Sequence, residues 1–171
     1  MPAPAISFRP LRREDVPLVF AWRQRPHVRR WWSAVATLAE AEAKYLPRIA
    51  GRDPTRVYLI VLDDRPIGMI QTYLVDDDPD SWPFELAPGT AGVDLFIGEA
   101  DLIGRGLGSE VIRTFVAEVV FARTAVTACI ADPDVRNVGS IRAFEKAGFL
   151  RVRVFELPDA EAPQQLLRIE R

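Results

Sequence analysis

The chain has 171 residues, of which 49% are hydrophobic, 27% charged and 9% aromatic. That length and apolar content suit one domain with a buried core and exclude a disordered or low-complexity chain. With 22 basic and 24 acidic residues the net charge is −2, so nothing draws the whole chain to nucleic acid or to an anionic membrane. No apolar stretch approaches the roughly 20 residues needed to cross a bilayer. The segment MPAPAISFRP lacks the basic and then apolar pattern of a signal peptide. The lone Cys129 has no internal disulfide partner and excludes a cysteine-rich zinc site. A cytoplasmic protein without a metal is the expectation.

Ile6 and Phe8 alternate with Ser7 and Arg9, which predicts a first strand over Ala5 to Pro10. Val16, Val19, Phe20 and Arg23 recur at helical spacing in Glu14 to Gln24, where Pro17 suits a first turn. Thr37 and Glu40 form a capping-box pattern opening a helix to about Ala50. Val57 to Leu62 and Ile67 to Val75 read as a hairpin turned at Asp63 to Pro66. Strands follow at Ala91 to Ile97 and Ala125 to Ala131, with a helix from Gly106 to Ala122 between them. Val138 to Ala147 is a helix closed by Gly148, and Phe149 to Leu157 and Gln165 to Ile169 are the last strands. The order shows no repeat and no dividing linker, so residues 1–171 are read as one mixed α/β domain.

Charge is unevenly spread. From Asp76 to Gly104 there are eight acids and no Lys, Arg or His, which leaves +6 on the rest of the chain. Such a run is either a solvated loop or a wall that concentrates cations. Glu85 and Glu99 are read as solvated. Asp94 differs, because it interrupts the apolar strand, where a charge is costly unless paired or used.

The segment Ile103-Gly104-Arg105-Gly106-Leu107-Gly108-Ser109 lies after a strand and opens a helix. Glycines there let backbone approach a ligand, and N–H groups at a helix start bind phosphate. The pattern is neither a Walker loop nor a dinucleotide fingerprint. Downstream stands Asn137-Val-Gly-Ser-Ile-Arg-Ala-Phe-Glu-Lys-Ala-Gly-Phe149. The two segments together resemble the acetyl-CoA signature of the GNAT superfamily of N-acetyltransferases. The resemblance implies the GNAT fold, a single mixed central sheet with splayed strands flanked by helices. It also implies that Gly104, Arg105, Gly106, Leu107, Gly108 and Ser109 cradle the diphosphate of acetyl-CoA. Backbone groups of Phe96 and Gly98 are then expected to face the pantetheine, and Asn137 its amide end. Asn137 reads equally as a helix N-cap.

Within the superfamily the chain is similar to aminoglycoside 6′-N-acetyltransferases. The likeness rests on Phe20-Ala-Trp22, His27 to Trp32, Tyr45-Leu-Pro47, Pro66-Ile-Gly68, Gln71-Thr-Tyr73, Gly92-Val-Asp94, Asp132-Pro133 and Glu145 to Phe149. It implies a polycationic aminoglycoside as partner, met by Trp31, Trp32, Tyr73, Asp80, Trp82, Asp94, Asp132 and, more loosely, Asp159. Aromatic faces cover sugar rings and attract ammonium groups, at about 0.5–2 kcal/mol per contact. Core packing is the competing reading for the tryptophans, and a strand end for Asp132-Pro133. His27 is read as structural, and Cys129 as no catalytic thiol.

The resemblance makes Asp94 the general base, binding the substrate ammonium and taking its proton during attack on the thioester. Members of this group often carry Tyr where this chain has Phe144, so the proton for the leaving thiolate must come from water or another hydroxyl such as Tyr73. A 2′-amine of a kasugamycin-like drug is an alternative to the 6′-amine. Rival readings are a siderophore or protein N-acyltransferase of the same fold, or a silent acyl-CoA-binding module. The chain is expected as a monomer or a homodimer, with Trp22, Phe155 and Leu157 leaving apolar surface at the sheet edge.

Overall fold

The computed structural model describes residues 5–171; the leading part of the segment read for a signal peptide lies outside them. Seven strands among the described residues form one mixed sheet in the order β1-β2-β3-β4-β5-β7-β6. The chain makes two compact units, one of residues 1–71 and 94–103 and the other of residues 72–93 and 104–171. It passes between them three times, inside β3 (Arg65–Leu74), inside β4 (Thr90–Ile97) and again after Ile103.

In the first unit β1 (Ile6–Pro10) pairs antiparallel with β2 (Arg56–Leu62), Phe8 opposite Ile60. The β2–β3 turn is tighter than expected. Asp63 and Asp64 alone make it, with φ of 47° and 67°, and strand pairing resumes at Arg65. A short turn of 3-10 helix at Arg13–Asp15 leads into α1 (Val16–Gln24). A four-residue helix that the sequence did not signal, α2 (Pro26–Arg29), follows at once. In α3 (Leu38–Ile49) the Thr37 hydroxyl accepts from the Glu40 N–H. The Glu40 carboxylate reaches back one residue further than a regular capping box, to the N–H of Ala36. The core of this unit gathers Val16, Val19, Trp22, Tyr45, Leu59 and Met69.

In the second unit the β4–β5 ladder is parallel and covers Thr90–Gly92 against Ala128–Ile130. Strand β5 (Ala128–Ala131) is shorter than expected, because the Val126 N–H bonds back to Arg123 in a turn. The helix predicted from Gly106 is α4 (Leu107–Phe115), which widens into a π-turn over Val116–Val120. It packs on α5 (Val138–Lys146). Strand β7 (Gln164–Glu170) lies between β5 and β6 (Leu150–Phe155), antiparallel to both, with a bulge at Arg151/Arg153.

The expected apolar edge is corrected. Trp22 and Phe155 are buried and Leu157 is partly buried, while the exposed apolar side chains of β6 are Leu150, Val152 and Val154. No helix among the described residues is long and apolar enough to cross a membrane.

Candidate active site

Asp94 sits in the outer half of β4, in the first unit. Its Oδ2 accepts a 2.9 Å hydrogen bond from Nε2 of Gln71 on β3. Gln71 Oε1 in turn accepts from Nη1 of Arg48, at 2.9 Å, near the end of α3. Burial pushes the Asp94 carboxyl up; the Gln71 hydrogen bond and the charges of Arg48 and Lys44 oppose it, and burial prevails. Lys44 is held below its ordinary value, first by burial and then by Arg23 and Arg48, against the pull of Asp94. A carboxylate raised in this way and partly reachable from solvent is a stronger proton acceptor than an ordinary one.

An aromatic cluster in the same unit is built on Arg23, itself buried on α1. Arg23 donates to the Tyr45 hydroxyl at 2.8 Å and to the Ser33 carbonyl. Its guanidinium also lies 5.2 Å from the ring centroid of Trp32, whose ring meets Phe96 edge-on at 5.1 Å. Arg30 covers Trp31 in the same manner, at 4.7 Å. Both tryptophans remain half-buried.

Gly98 is closely enclosed. Its N–H donates to Ile67 at 2.7 Å, and its carbonyl accepts from Arg25 at 2.7 Å. An added Cβ would stand 2.3 Å from the Trp22 ring, so packing alone already requires glycine here. Phe96 is buried, its ring edge-on to Trp22 and Trp32. The Ile97 carbonyl lies 2.9 Å from Nε2 of His27; since a carbonyl only accepts, that nitrogen carries the proton. His27 is structural, as expected. Glu99 is not solvated: it accepts from the Trp22 indole at 2.9 Å and pairs with Arg25 and Arg65 at 3.1 and 3.0 Å.

The second unit carries the glycine loop. Gly104 and Gly106 have φ of 76° and 78°, and an added Cβ at either would meet nothing within 4 Å. These glycines serve conformation, and they leave room for a ligand to come against bare backbone. Leu107, Gly108 and Ser109 open α4, where N–H groups have no intrahelical partner. The Ser109 hydroxyl donates to the Gly106 carbonyl at 2.8 Å and closes the turn. Arg105 is exposed. Gly108 differs from Gly104 and Gly106, since an added Cβ would make ordinary contact with Ala143 of α5 at 3.5 Å. Asn137 caps α5, its Oδ1 accepting from the Ser140 N–H at 3.2 Å.

Other expected substrate residues also lie in this unit. The Tyr73 ring covers Gly92, whose added Cβ would fall 2.2 Å from it. Asp80 is exposed in a 3-10 turn at Pro79–Ser81, beside exposed Asp76, Asp77 and Asp78. Trp82 packs with Phe84 and Phe155, so half of it serves a small apolar cluster. Asp132 follows the end of β5 and is half-buried; Asp159 is exposed. Phe144 is buried edge-on against Phe149 at 5.0 Å. Cys129 is buried in β5. No group of three His, Cys, Asp or Glu able to hold a metal lies among the described residues.

The model of the acetyltransferase (GNAT) domain matches residues 12–157. The chain belongs to the GNAT acetyltransferases. Among relatives of this acetyltransferase is the aminoglycoside N(6′)-acetyltransferase type 1 of Klebsiella pneumoniae, 33% identical over 162 residues, covering 92% of this chain and 80% of that protein. Among solved structures, aminoglycoside acetyltransferase AAC(6′)-Ib with coenzyme A superposes with a TM-score of 0.89 at 31% identity, covering 98% and 95% of the two chains. The same enzyme with coenzyme A and kanamycin gives 0.88 at 30% identity, with the same coverage.

Sequence reasoning about the acetyltransferase missed Gln71, Arg48 and Lys44 as neighbours of Asp94. A signal existed: Gln71 is a polar residue inside the strand Ile67 to Leu74, where it needed a partner.

Proposed function

We propose that this acetyltransferase moves the acetyl group of acetyl-CoA onto an amino group of an aminoglycoside and so confers resistance to the drug. The observation that carries the substrate class is the likeness, along 92% of the chain, to a relative named for aminoglycoside N(6′)-acetylation. Residues 1–171 act as one catalytic domain in the cytoplasm, as a monomer or a homodimer. The 6′-amine is the acceptor by that likeness.

The glycine loop fits the co-substrate: positive-φ glycines, bare backbone and free helix-start N–H groups suit a diphosphate. Gly104, Arg105, Gly106, Leu107, Gly108 and Ser109 hold it, and the Asn137 amide reaches toward the pantetheine. Acetyl-CoA supplies an activated acyl carbon. Asp94 binds the incoming ammonium and takes its first proton, which frees the nitrogen lone pair to bond to that carbon; the second N–H proton passes to water as the tetrahedral intermediate collapses to the amide. Backbone N–H groups near Phe96 polarise the thioester carbonyl. The C–S bond breaks, and the thiolate is protonated by water or by the Tyr73 hydroxyl, since Phe144 has no proton to give. Trp31, Trp32, Tyr73 and Trp82 offer ring faces to the sugars, while Asp80 and Asp132 receive other ammonium groups.

A thiol-release assay across kanamycin, kasugamycin, a siderophore precursor and a peptide tests the reading. Turnover with an aminoglycoside is expected. Turnover with the peptide or the siderophore precursor alone overturns it, and kasugamycin as the only acceptor moves the acetylated position to its 2′-amine.

A further inference from the structure

We propose that Gln71, itself held by Arg48, is the positioning residue for Asp94 and directs the substrate proton to Oδ1. The proposal rests on the reading of Asp94 as the base.

The argument is one of donors and acceptors. Arg48 Nε lies 3.4 Å from Asp53 Oδ2, and Asp53 Oδ1 accepts from the Thr55 N–H at 2.8 Å. Arg48 is thereby anchored, and its Nη1 reaches Gln71 Oε1 at 2.9 Å. A guanidinium only donates, so the Gln71 amide must turn its oxygen to Arg48 and its NH2 to Asp94. That NH2 also only donates. Asp94 Oδ2, at 2.9 Å from it, must therefore be an accepting oxygen in both protonation states. A carbonyl oxygen accepts more strongly than a hydroxyl oxygen, so the Gln71 bond favours Oδ2 as the carbonyl and Oδ1 as the oxygen that takes the proton. Gln71 is 8% exposed, so water does not readily substitute for either bond.

The line also has an electrostatic consequence. The charged groups facing Asp94 are Arg48 and Lys44, both on α3, while β3 contributes neutral Gln71. Burial favours the protonated acid; Gln71 and the two cations favour the carboxylate. Removing Gln71 breaks the direct bond and also disconnects Arg48. The base then keeps its proton to higher pH and is a poorer acceptor at neutrality.

The test titrates Asp94 directly, by 13C NMR of the carboxyl carbon in the full chain without ligands. The second readout is the pH profile of kcat with acetyl-CoA and kanamycin. Variants are Gln71→Leu, Gln71→Glu, Arg48→Met and Arg48→Lys. Gln71→Leu should move both the NMR midpoint and the acid limb upward by about one pH unit or more. Gln71→Glu should move them further, because its carboxylate pairs with Arg48 and faces Asp94 with like charge. Arg48→Met should give a smaller shift in the same direction, and Arg48→Lys should restore part of it. KM for acetyl-CoA should stay within about twofold of wild type, as the glycine loop is untouched. Arg48→Met and Arg48→Lys carry the test if Gln71→Leu does not fold.

An unmoved midpoint in Gln71→Leu, or Arg48→Lys behaving like Arg48→Met in a folded protein, overturns the proposal. Asp94→Asn separates this from the parent reading: retained kcat there removes Asp94 as the base. Lost kcat with unmoved midpoints in the Gln71 and Arg48 variants removes only the positioning role.

Discussion

The pyrrole ring of Trp22 lies against the Cα of Gly98, so close that a methyl group there would stand 2.3 Å from Cγ. The same indole donates to Glu99 at 2.9 Å, which ties α1 to the chain just beyond β4. Gly98→Ala should therefore destabilise the protein by about 1–3 kcal/mol through overpacking. Gly108→Ala, whose methyl would make ordinary contact with Ala143 at 3.5 Å, should change stability far less. Urea denaturation of both variants checks the contrast. Equal losses would mean that Trp22 yields more easily than its full burial implies.

Asp94→Asn should lower kcat by roughly 10²–10⁴-fold and at the same time raise thermal stability. The sign follows from linkage. The folded-state value of Asp94 is raised, so between the unfolded and folded values the folded protein holds more protons. Stability contributed by this group is present below that window and lost as pH rises through it. Asn mimics the protonated form, so the gain in Tm should be largest at neutral pH and fade in acid. For a chain of this size each kcal/mol corresponds to about 2–4 °C. Differential scanning calorimetry at neutral pH and in acid measures it.

Asp76, Asp77, Asp78 and Asp80 are all exposed. If they draw a polycation, raising salt from low to physiological should raise KM for kanamycin and affect KM for acetyl-CoA less. Asp80→Asn should raise the kanamycin KM in low salt and flatten its salt response. Equal responses of both substrates would leave these acids as solvating groups.

The turn between β2 and β3 offers a gain in stability. Asp64 holds φ of 67°, a conformation that costs a residue with a side chain. Asp63 shares it but has a second duty, since its Oδ1 accepts from the Ala5 N–H at 2.9 Å. Asp64→Gly should stabilise by roughly 0.5–1 kcal/mol, whereas Asp63→Gly forfeits that bond and should not. Thermal melts decide between them.

What the sequence revealed depended on how far a signal reached along it. The glycine loop and Asp94 were legible because each is a local anomaly: glycines at a helix start, and a charge inside an apolar strand. Gln71 and Arg48 were not, for the steps of the Arg48–Gln71–Asp94 line each span 23 residues, and only the pairing of β3 with β4 and the packing of α3 bring them together. Glu99 was misread for the same reason. Its acidic neighbours suggested solvent, while its partners Trp22, Arg25 and Arg65 come from distant segments. The packing around Gly98 was hidden in the same way, since Trp22, Arg25 and Ile67 reach it from distant segments. Helix α2 escaped because four residues are too few to show a period.

The place of β7 in the sheet imposes an order on synthesis. Strand β6 precedes β7 in the chain, yet β7 is the neighbour that joins it to β5. A nascent chain that has emerged through Phe155 thus holds a strand with Leu150, Val152 and Val154 exposed and its ladder partner still unmade. Until Gln164–Glu170 leaves the ribosome and slides between β5 and β6, this segment is open to pairing with other nascent chains. Arg151 and Arg153, set between those apolar residues, are the charges that discourage such pairing during the wait.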